Sequence, residues 1–380
     1  MTDLLVLADD LSGAAESAAA LRVRGSRRYG PVHVALWPAP VPPGDVVIDL
    51  HSRHLPAADV EHRLTDVLHH HRSRTVVTKV DSLLRGNLVP VVRAARKTVL
   101  LAPALPVAGR TVRDGRLLVE GRPLATTAAW AIEDRPAPDT VADALPGVPT
   151  TTLPLDLVRS KDLATHLVRI DDGTVVICDA ETDDDLDRLV TAASGCALVG
   201  SAALVAAVAR ALPAGTPEEP ELPRDARSVV VVVGTAEPVA QQQLRELERA
   251  GAPVVDLPCT DVLDGTAATH LTNAARNPLT VVRLTGRAEG RSLSRALGRV
   301  VADAVGPADL VLTGGETARQ VLDALGVPSL RVVGQIEHGA VRSETPDGRH
   351  VVTRPGSFGA PDSLLTIVRA LNPDLLRGTP

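Results

Sequence analysis

The fold class is decided by residues 4–22, which read LLVLADDLSGAAESAAALR. Leu4 to Ala8 is a continuous apolar run, typical of a strand that is buried on both faces of a parallel sheet. Asp9 and Asp10 end this run, and Ala14 to Arg22 has the pattern of a helix. A strand, a polar turn and a helix in this order form the repeating unit of α/β folds.

The same order recurs in both halves of the chain. Further strands are predicted at 32–36, 46–50, 75–78, 99–102, 175–178, 197–199, 228–233, 281–284 and 310–312. Helices are predicted at 60–70, 202–212, 239–250 and 318–325, and a hairpin is predicted at 113–124 with its turn at Asp114-Gly115. The predicted fold class is α/β, with two α/β domains, largely parallel sheets and a cleft between them.

The domain boundary is predicted from composition. Residues 213–225 read PAGTPEEPELPRD, which is rich in Pro and Glu and has no helical or strand period. A chain of 380 residues also exceeds the size at which a single core stops growing. We therefore expect an N-terminal domain at 1–212, a linker at 213–226 and a C-terminal domain at 227–380.

Charge and composition exclude several classes of partner. A net charge of −6 and an aromatic content of 1% argue against nucleic-acid binding, which needs a basic face or stacking surfaces. Three scattered cysteines without a CxxC pair fit reduced thiols in the cytoplasm. The N-terminus shows no basic region of a signal peptide, and no apolar stretch is long enough to span a bilayer. We expect a cytoplasmic protein with no membrane partner.

The most informative polar segment is 78–87, which reads TKVDSLLRGN and follows a predicted strand. Lys79 is one of only three lysines among 40 Lys and Arg residues, the others being Lys97 and Lys161. Lysine provides a compact point charge where arginine provides a planar fork. The segment is suited to an anionic, hydroxylated ligand, although a solvated turn between a strand and a helix has the same composition.

Two further polar groups follow predicted strands of the first half. Asp9 and Asp10 end the first strand, where a carboxylate can bind sugar hydroxyls, hold Mg²⁺ or act as a general base. Asp10 as the N-cap of the following helix is the alternative. Arg53 follows another strand, and its guanidinium is suited to a substrate carboxylate.

The second half contains glycine turns in place of charges. Residues 313–317 read TGGET between a strand and a helix, which predicts a phosphate cradle of backbone N–H groups; a plain turn capped by Thr317 is the alternative. Residues 353–359, TRPGSFG, form a second glycine loop, and Gly234-Thr235 is another turn able to hold an anion. No Walker motif GxxxxGK[ST] occurs in the chain.

Seven motifs in order along the chain resemble the four-carbon acid sugar kinases, a family that includes D-threonate, D-erythronate and 3-oxo-tetronate kinases. They lie at 8–14 (ADDLSGA), 49–53 (DLHSR), 79–87 (KVDSLLRGN), 102–111 (APALPVAGRT), 200–205 (GSAALV), 314–318 (GGETA) and 353–359 (TRPGSFG). The resemblance implies that the domain at 1–212 binds the sugar acid and that the domain at 227–380 binds the nucleotide. It also implies ATP-dependent phosphoryl transfer to the terminal hydroxyl of the acid, with Mg²⁺ bridging the phosphates. The implied partners are a small sugar acid and ATP, and a homodimer is an assembly compatible with the chain.

Site residues follow from the resemblance and from the residue types together. The expected catalytic residues are Asp10, Lys79, Asp81 and Arg85. The expected substrate-binding residues are Asp9, Arg53, Ser82, Gly86 and Asn87. The expected ATP-binding residues are Thr235, Gly314, Gly315, Glu316, Thr317 and Gly356, and no metal ligand is assigned.

The departures from the family pattern lie mostly in the second half. Arg354 replaces the usual lysine, and Pro355 removes a backbone donor from its loop. Glu237 stands in a turn where serines are usual, and a carboxylate is unfavourable beside phosphates. The alternative to a kinase is therefore a non-catalytic sugar-acid-binding protein with a degenerate ATP site.

Overall fold

The computed structural model describes residues 4–29, 31–71, 75–131, 133–213, 227–235, 237–286 and 290–376. The strands are β1 Leu4–Ala8, β2 His33–Leu36, β3 Val46–Asp49, β4 Thr75–Lys79, β5 Val99–Ala102, β6 Arg110–Arg113, β7 Arg116–Val119, β8 Arg122–Pro123, β9 Thr150–Leu153, β10 Val175–Cys178, β11 Ala197–Gly200, β12 Val229–Val233, β13 Val254–Pro258, β14 Leu279–Thr285, β15 Asp309–Thr313, β16 Ser329–Glu337, β17 Ala340–Glu344 and β18 His350–Arg354.

Most of these strands are followed by helices. The helices are α1 Leu11–Tyr29, α2 Ala57–His70, α3 Leu88–Ala94, α4 Leu155–Val158, α5 Leu163–Leu167, α6 Asp183–Ala192, α7 Ala202–Ala211, α8 Pro238–Arg249, α9 Cys259–Asp264, α10 Ala267–Ala274, α11 Arg291–Ala304, α12 Gly315–Ala324 and α13 Ser363–Leu371. None of the helices in the described part of the chain combines the length and the apolar character needed to cross a membrane.

The chain forms two compact units that do not follow sequence order throughout. The first unit comprises Met1–Val32 and Val41–Pro217, and the second comprises His33–Pro40 and Glu218–Pro380. An eight-residue segment of the N-terminal half thus belongs to the second unit. Of the predicted linker 213–226, all but Pro213 lies outside the described residues.

The first unit is built on a parallel sheet with the strand order β3-β1-β4-β11-β5-β10-β9. β1 is the central strand of the first three, because β3 and β4 pair with its two sides. The five residues of β1 are all buried, as the apolar run predicts. The carboxyl ends of these three strands lie side by side at a point where the strand order reverses, which is where open α/β sheets bind their ligands.

The predicted hairpin is confirmed in the first unit. β6 and β7 pair antiparallel, with Asp114 and Gly115 at the turn, both with positive φ (50° and 69°). The carboxylate of Asp179, which follows β10, accepts hydrogen bonds from the backbone N–H groups of Asp114 (2.7 Å) and Gly115 (2.9 Å). This contact fixes the hairpin to the main sheet of its unit.

The second unit combines a parallel and an antiparallel part. β13, β14, β12, β15 and β18 are parallel neighbours in this order, and β17, β16 and β2 continue the sheet antiparallel. β12 consists of five buried valines and lies between β14 and β15, so the strand order reverses at its carboxyl end. The α/β class with largely parallel sheets is confirmed in both units.

Candidate functional site

The carboxyl ends of β1, β3 and β4 bring together the charged residues predicted from the first half. Ala8 pairs in register with Asp49 of β3 and with Lys79 of β4. The backbone N–H groups of Ser52 and Arg53 donate to the carbonyl of Asp9 at 2.9 and 3.1 Å. Residues far apart in sequence therefore meet because parallel strands end at the same edge of the sheet.

Arg53 is the centre of this cluster. Its Nε lies 2.8 Å from Oδ2 of Asp9 and its Nη2 lies 3.0 Å from Oδ1 of the same residue. The same Nη2 donates to Oδ1 of Asp10 at 2.7 Å and lies 3.6 Å from Oδ1 of Asp81. One guanidinium thus orients three carboxylates, using the planar donor geometry that distinguishes arginine from lysine.

Lys79 approaches the same aspartates from β4. Its Nζ donates to Oδ1 of Asp10 at 2.9 Å and to Oδ1 of Asp9 at 3.2 Å. The side chain passes over Gly13 on α1, where a Cβ atom would lie only 1.8 Å from Nζ. Gly13 therefore creates the space that the lysine occupies.

Asp81 organises the turn after β4. Its carboxylate forms a bidentate ion pair with Arg85 (2.7 and 2.9 Å) and accepts the backbone N–H groups of Leu83 (3.2 Å) and Arg85 (3.3 Å). Leu84 between them has a φ of 64°, a conformation that costs free energy in a residue with a branched side chain. Beside this turn, Nη1 of Arg110 donates to Oγ of Ser82 at 2.5 Å.

Gly86 and Asn87 lie against the loop that carries Arg53. The Nδ2 atom of Asn87 donates to the carbonyl of Leu55 at 2.6 Å. A Cβ at Gly86, whose φ is 85°, would lie 3.0 Å from the carbonyl oxygen of Arg53. Asn87 thereby holds the Arg53 loop in place and Gly86 allows its close approach, and contact of both residues with substrate stays a prediction.

The electrostatics of the cluster keep its aspartates ionised. Burial alone would raise the pKa of Asp10, but Arg53 and Lys79 outweigh it and hold that pKa well below its usual range. Arg53 and Arg85 likewise outweigh burial and hold the pKa of Asp81 well below its usual range. The pKa of Lys79 is raised, because Asp10 and Asp9 outweigh the effect of burial.

Asp10 also has the capping contact that was the alternative explanation for it. Its Oδ1 accepts the backbone N–H of Gly13 at 3.1 Å, in the first turn of α1. The same oxygen accepts from Arg53 and Lys79. Capping and ion pairing therefore coexist, and the helix start fixes the carboxylate that both cations contact.

Two residues near the cluster were not predicted as site residues. Glu16 on α1 is partly buried, and burial raises its pKa to about 7. Arg110, at the start of β6, contacts Ser82 as described. The sequence offers one signal for Glu16: it is the only acidic residue between Leu11 and Tyr29. Arg110 lies in the motif at 102–111, but no periodicity places a hairpin residue beside a distant strand end.

The predicted residues of the second half also converge. Gly314 has a φ of 96° and precedes α12, and a Cβ there would lie 3.8 Å from both Cβ of Thr235 and Oγ1 of Thr317. A Cβ at Gly356 would lie 2.8 Å from Cγ2 of Thr235. Gly315 is the first residue of α12, and Glu316 in the same turn accepts from Gln320 at 3.1 Å. The turns after β12, β15 and β18 thus form one surface of small residues at a helix start.

Arg354 does not belong to that surface. Its guanidinium donates to Oε1 of Gln243 (2.5 Å) and to the carbonyl of Phe358, and only 1% of the residue is exposed. Gln243 in turn donates to the carbonyls of Phe358, Gly359 and Ala360 at 3.0, 3.2 and 2.9 Å. The arginine that replaces the usual lysine therefore fixes the 356–360 loop from beneath. Phe358 stacks on the ring of His338, with the ring centroids 5.3 Å apart.

Two family models match the chain, one over each half. A sugar-binding N-terminal domain matches residues 4–208, and a nucleotide-binding C-terminal domain matches residues 230–364. The charged cluster lies in the first match and the glycine surface lies in the second. Each candidate site therefore lies in the domain whose description agrees with its chemistry: charged side chains in the sugar-binding domain, and glycine turns in the nucleotide-binding domain.

Curated relatives span the whole chain. A D-threonate kinase from Cupriavidus necator is 31% identical, with 95% of this chain and 96% of the relative covered. A D-threonate kinase from Bordetella bronchiseptica is 30% identical, with 96% of each covered. A 3-oxo-tetronate kinase from Burkholderia multivorans is 26% identical over the same shares.

Solved structures share the fold. A protein from Salmonella typhimurium LT2 superposes with a TM-score of 0.81 at 20% identity, covering 97% of this chain and 99% of that one. A protein from Haemophilus influenzae superposes with a TM-score of 0.72 at 19% identity, covering 97% of this chain and 100% of that one. At these identities the likeness concerns the fold alone.

Proposed function

Since this chain belongs to the four-carbon acid sugar kinase family and is a sugar acid kinase, we propose that it transfers the γ-phosphoryl group of ATP to the terminal hydroxyl of a four-carbon sugar acid. The family and the transferase class come from relatives that cover the whole chain. The acid, its acceptor hydroxyl and ATP as donor are the proposed parts.

The charged cluster is the single observation that carries the proposal. Asp9, Asp10 and Asp81 face four basic groups, Arg53, Lys79, Arg85 and Arg110, at one strand-end edge. The three aspartates and four basic groups sum to a charge of +1 (4 − 3), which suits one substrate carboxylate. The aspartates are acceptors that suit the hydroxyls along a short acid, and the ion pairs hold all of them in fixed positions.

Most of the predicted residues of the first half have a proposed task in this arrangement. Lys79 and Arg53 neutralise the substrate carboxylate or the transferred phosphoryl group, and Asp10 and Asp81 orient hydroxyls. Asn87 fixes the Arg53 loop, Gly86 allows its close approach, and Ser82 is aligned by Arg110. In phosphoryl transfer most of the rate acceleration comes from positioning and charge neutralisation, which is what a rigid charged cluster provides.

The glycine surface of the second unit supports ATP as the donor. At Gly314 a Cβ would have only ordinary neighbours, 3.8 Å away, so the bare backbone leaves room for close approach by phosphate. The missing Cβ of Gly356 instead lets its loop pack against Thr235. The start of α12 at Gly315 adds N–H donors and a partial positive charge. Thr235, Glu316 and Thr317 are proposed to complete this site.

Magnesium is proposed to arrive with the nucleotide. Within the ranges that the structure describes, no group of three His, Cys, Asp or Glu residues could hold a metal ion. Mg²⁺ in kinases is commonly held by phosphates and one or two carboxylates rather than by a protein cage, so the residues present fit that arrangement. When bound, the ion would neutralise phosphate charge.

We propose D-threonate as the first acid to test. Relatives named D-threonate kinase are 28–31% identical to this chain, and relatives named 3-oxo-tetronate kinase are 26–28% identical. D-erythronate and 3-oxo-tetronate are the alternative substrates. Function in the cytoplasm as a homodimer is part of the same proposal.

The test is an ADP-release assay with Mg-ATP and each of the three acids, paired with calorimetric titration of each acid and of Mg-ATP. Turnover with one acid at least tenfold above the others supports the proposal and names the substrate. Binding of an acid without turnover or nucleotide binding would instead favour a non-catalytic sugar-acid binder. Absence of both binding and turnover with all three acids would overturn the proposed substrate class.

A further inference from the structure

The first two turns of α1 carry two oxygen atoms that are buried without a hydrogen-bond partner. They are Oγ of Ser12 and Oε1 of Glu16. Ser12 itself is 5% exposed. Positions i and i+4 share one face of a helix, so both oxygens lie on the same side of α1. Buried polar atoms in folded proteins nearly always have partners, so two unpaired ones on one face are available to a ligand group.

This face of α1 adjoins the charged cluster. Gly13, which leaves room for Lys79, lies three residues before Glu16, so the lysine passes over the same face of α1. The charged groups that act on the Glu16 carboxyl are Lys79, Asp10, Arg110 and Arg53. They come from β4, the end of β1, the hairpin strand β6 and the loop after β3. Glu16 therefore borders the place where the substrate is proposed to bind.

The acids of the cluster differ in their ability to accept a proton. Asp10 and Asp81 are fixed in ion pairs with Arg53, Lys79 and Arg85, and their pKa values are held well below the usual range. Asp9 is held by two hydrogen bonds from Arg53. A general base works best when its pKa lies near the working pH, and burial raises the pKa of Glu16 to about 7.

On the premise of the proposed kinase activity, we infer that Glu16 is the general base of the reaction and that Ser12 positions the acceptor hydroxyl against it. The hydroxyl O–H bond breaks and its proton passes to the Glu16 carboxylate. The freed oxygen forms a bond to the γ-phosphorus, and the bond from that phosphorus to the bridging oxygen of ATP breaks, so that ADP leaves with the electron pair. The predicted bases Asp10 and Asp81 are thereby left as ligands.

The test compares wild type, Glu16→Gln and Glu16→Asp across pH 5.5 to 9 with Mg-ATP and the acid that wild type phosphorylates. For wild type, kcat/KM is expected to fall about tenfold per pH unit below a pH of about 7, since the free enzyme must have Glu16 ionised. Glu16→Gln is expected to lose about 10²- to 10⁴-fold in kcat and to lose the acid limb of the profile. Calorimetric affinity for the acid should stay within a few-fold.

Control variants distinguish a catalytic Glu16 from a structural one. Glu61→Gln, on the exposed face of α2, is the matched control and should leave rate and profile unchanged. Ser12→Ala should lower kcat more than it raises KM, and Ser12→Thr should restore it. A merely structural Glu16 would change the melting temperature with an unchanged profile per folded molecule, and that result overturns the inference. Wild-type turnover with a persisting acid limb in Glu16→Gln overturns it while leaving the kinase proposal intact; no wild-type turnover overturns both.

Discussion

The candidate sites of the two units lie at the same topological position but consist of different groups. In the first unit the strand order reverses at β1, and the site is made of side-chain charges that contact each other at 2.7 to 3.2 Å. In the second unit it reverses at β12, and the site is made of glycines, threonines and a helix start. Recognition of a carboxylate and hydroxyls requires side chains that donate and accept hydrogen bonds in fixed directions. The phosphate groups of any nucleotide can instead accept hydrogen bonds from backbone N–H groups.

The difference has a physical consequence for each site. Buried ion pairs lose much of their solvation and are stable only as a complete set, so removal of one member should affect both folding and function. A backbone cradle binds mainly through uncharged N–H groups, and it should respond mainly to added volume. The following substitutions test this contrast.

The largest effect is expected for Lys79→Ala. The change leaves the aspartate pair with Arg53 alone in a buried setting, so kcat/KM should fall by about 10³-fold or more and the free energy of unfolding by about 3 to 5 kcal/mol. ADP release per folded molecule and urea unfolding measure the two effects. Lys161→Ala, at an exposed lysine, is the matched control. Activity near that of wild type would show that the cluster does not bind substrate.

Glu16→Gln should stabilise the protein at alkaline pH. Burial raises the folded-state pKa of Glu16 from 4.5 to about 7, so the native state binds more protons than the unfolded state between these values and wild-type stability falls as pH rises through this window. The loss is at most about 3 kcal/mol and is complete above pH 7, and the glutamine variant should not suffer it. Denaturant unfolding at pH 5 and pH 8 measures the difference; equal curves at pH 8 would contradict it.

Gly13→Ala tests the space that the cluster needs. A Cβ 1.8 Å from Nζ of Lys79 must displace the ammonium group from its aspartates, and misplacement by about 1 Å can cost about 100-fold in rate. Helix propensity alone would favour alanine, so a stable but slow enzyme is expected. Gly334→Ala, where a Cβ meets open space, serves as the control. Unchanged turnover would mean that the lysine has a second productive position.

The smallest effect is expected in the second unit. Gly356→Ala places a Cβ 2.8 Å from Cγ2 of Thr235, and it should raise the KM for ATP by about tenfold, an energy of about 1.4 kcal/mol. Calorimetric affinity for the sugar acid should not change, because the residues proposed to bind it lie in the other unit. A lower melting temperature with unchanged nucleotide affinity would assign Gly356 a structural role only.

Much of the charged site could be predicted from the sequence because of a simple geometric rule. Asp9, Asp10, Arg53 and Lys79 each follow an apolar run, and parallel strands bring their ends to one edge. The rule does not apply to Glu16, which lies more than one turn into α1, or to Arg110, which lies in the hairpin. Their contribution depends on tertiary approach, which periodicity does not encode.

The fold was predictable to a similar extent. Strands β1, β5 and β10 begin and end where the apolar runs do. The antiparallel strands β16 to β18 were missed, because their polar and charged residues interrupt the apolar pattern on which strand prediction depends. Arg354, the last residue of β18, is an example. Its buried guanidinium donates to Gln243 and to the carbonyl of Phe358, and sequence alone does not reveal those partners.

The segment His33–Pro40 has a consequence for dissecting this protein. Its strand β2 pairs with β16 through Ala35 and Ser329, the N–H of Leu36 donates to the carbonyl of Pro328 at 3.0 Å, and Nη2 of Arg319 reaches the carbonyl of Trp37 at 2.5 Å. A gene fragment that starts after the linker would lack β2. Its nucleotide-binding domain would therefore expose β16 as an unpaired edge strand, which favours self-association. Adding the segment His33–Pro40 as a separate peptide, or fusing it to the terminus of the fragment, would restore the missing strand and allow the second unit to be studied in isolation.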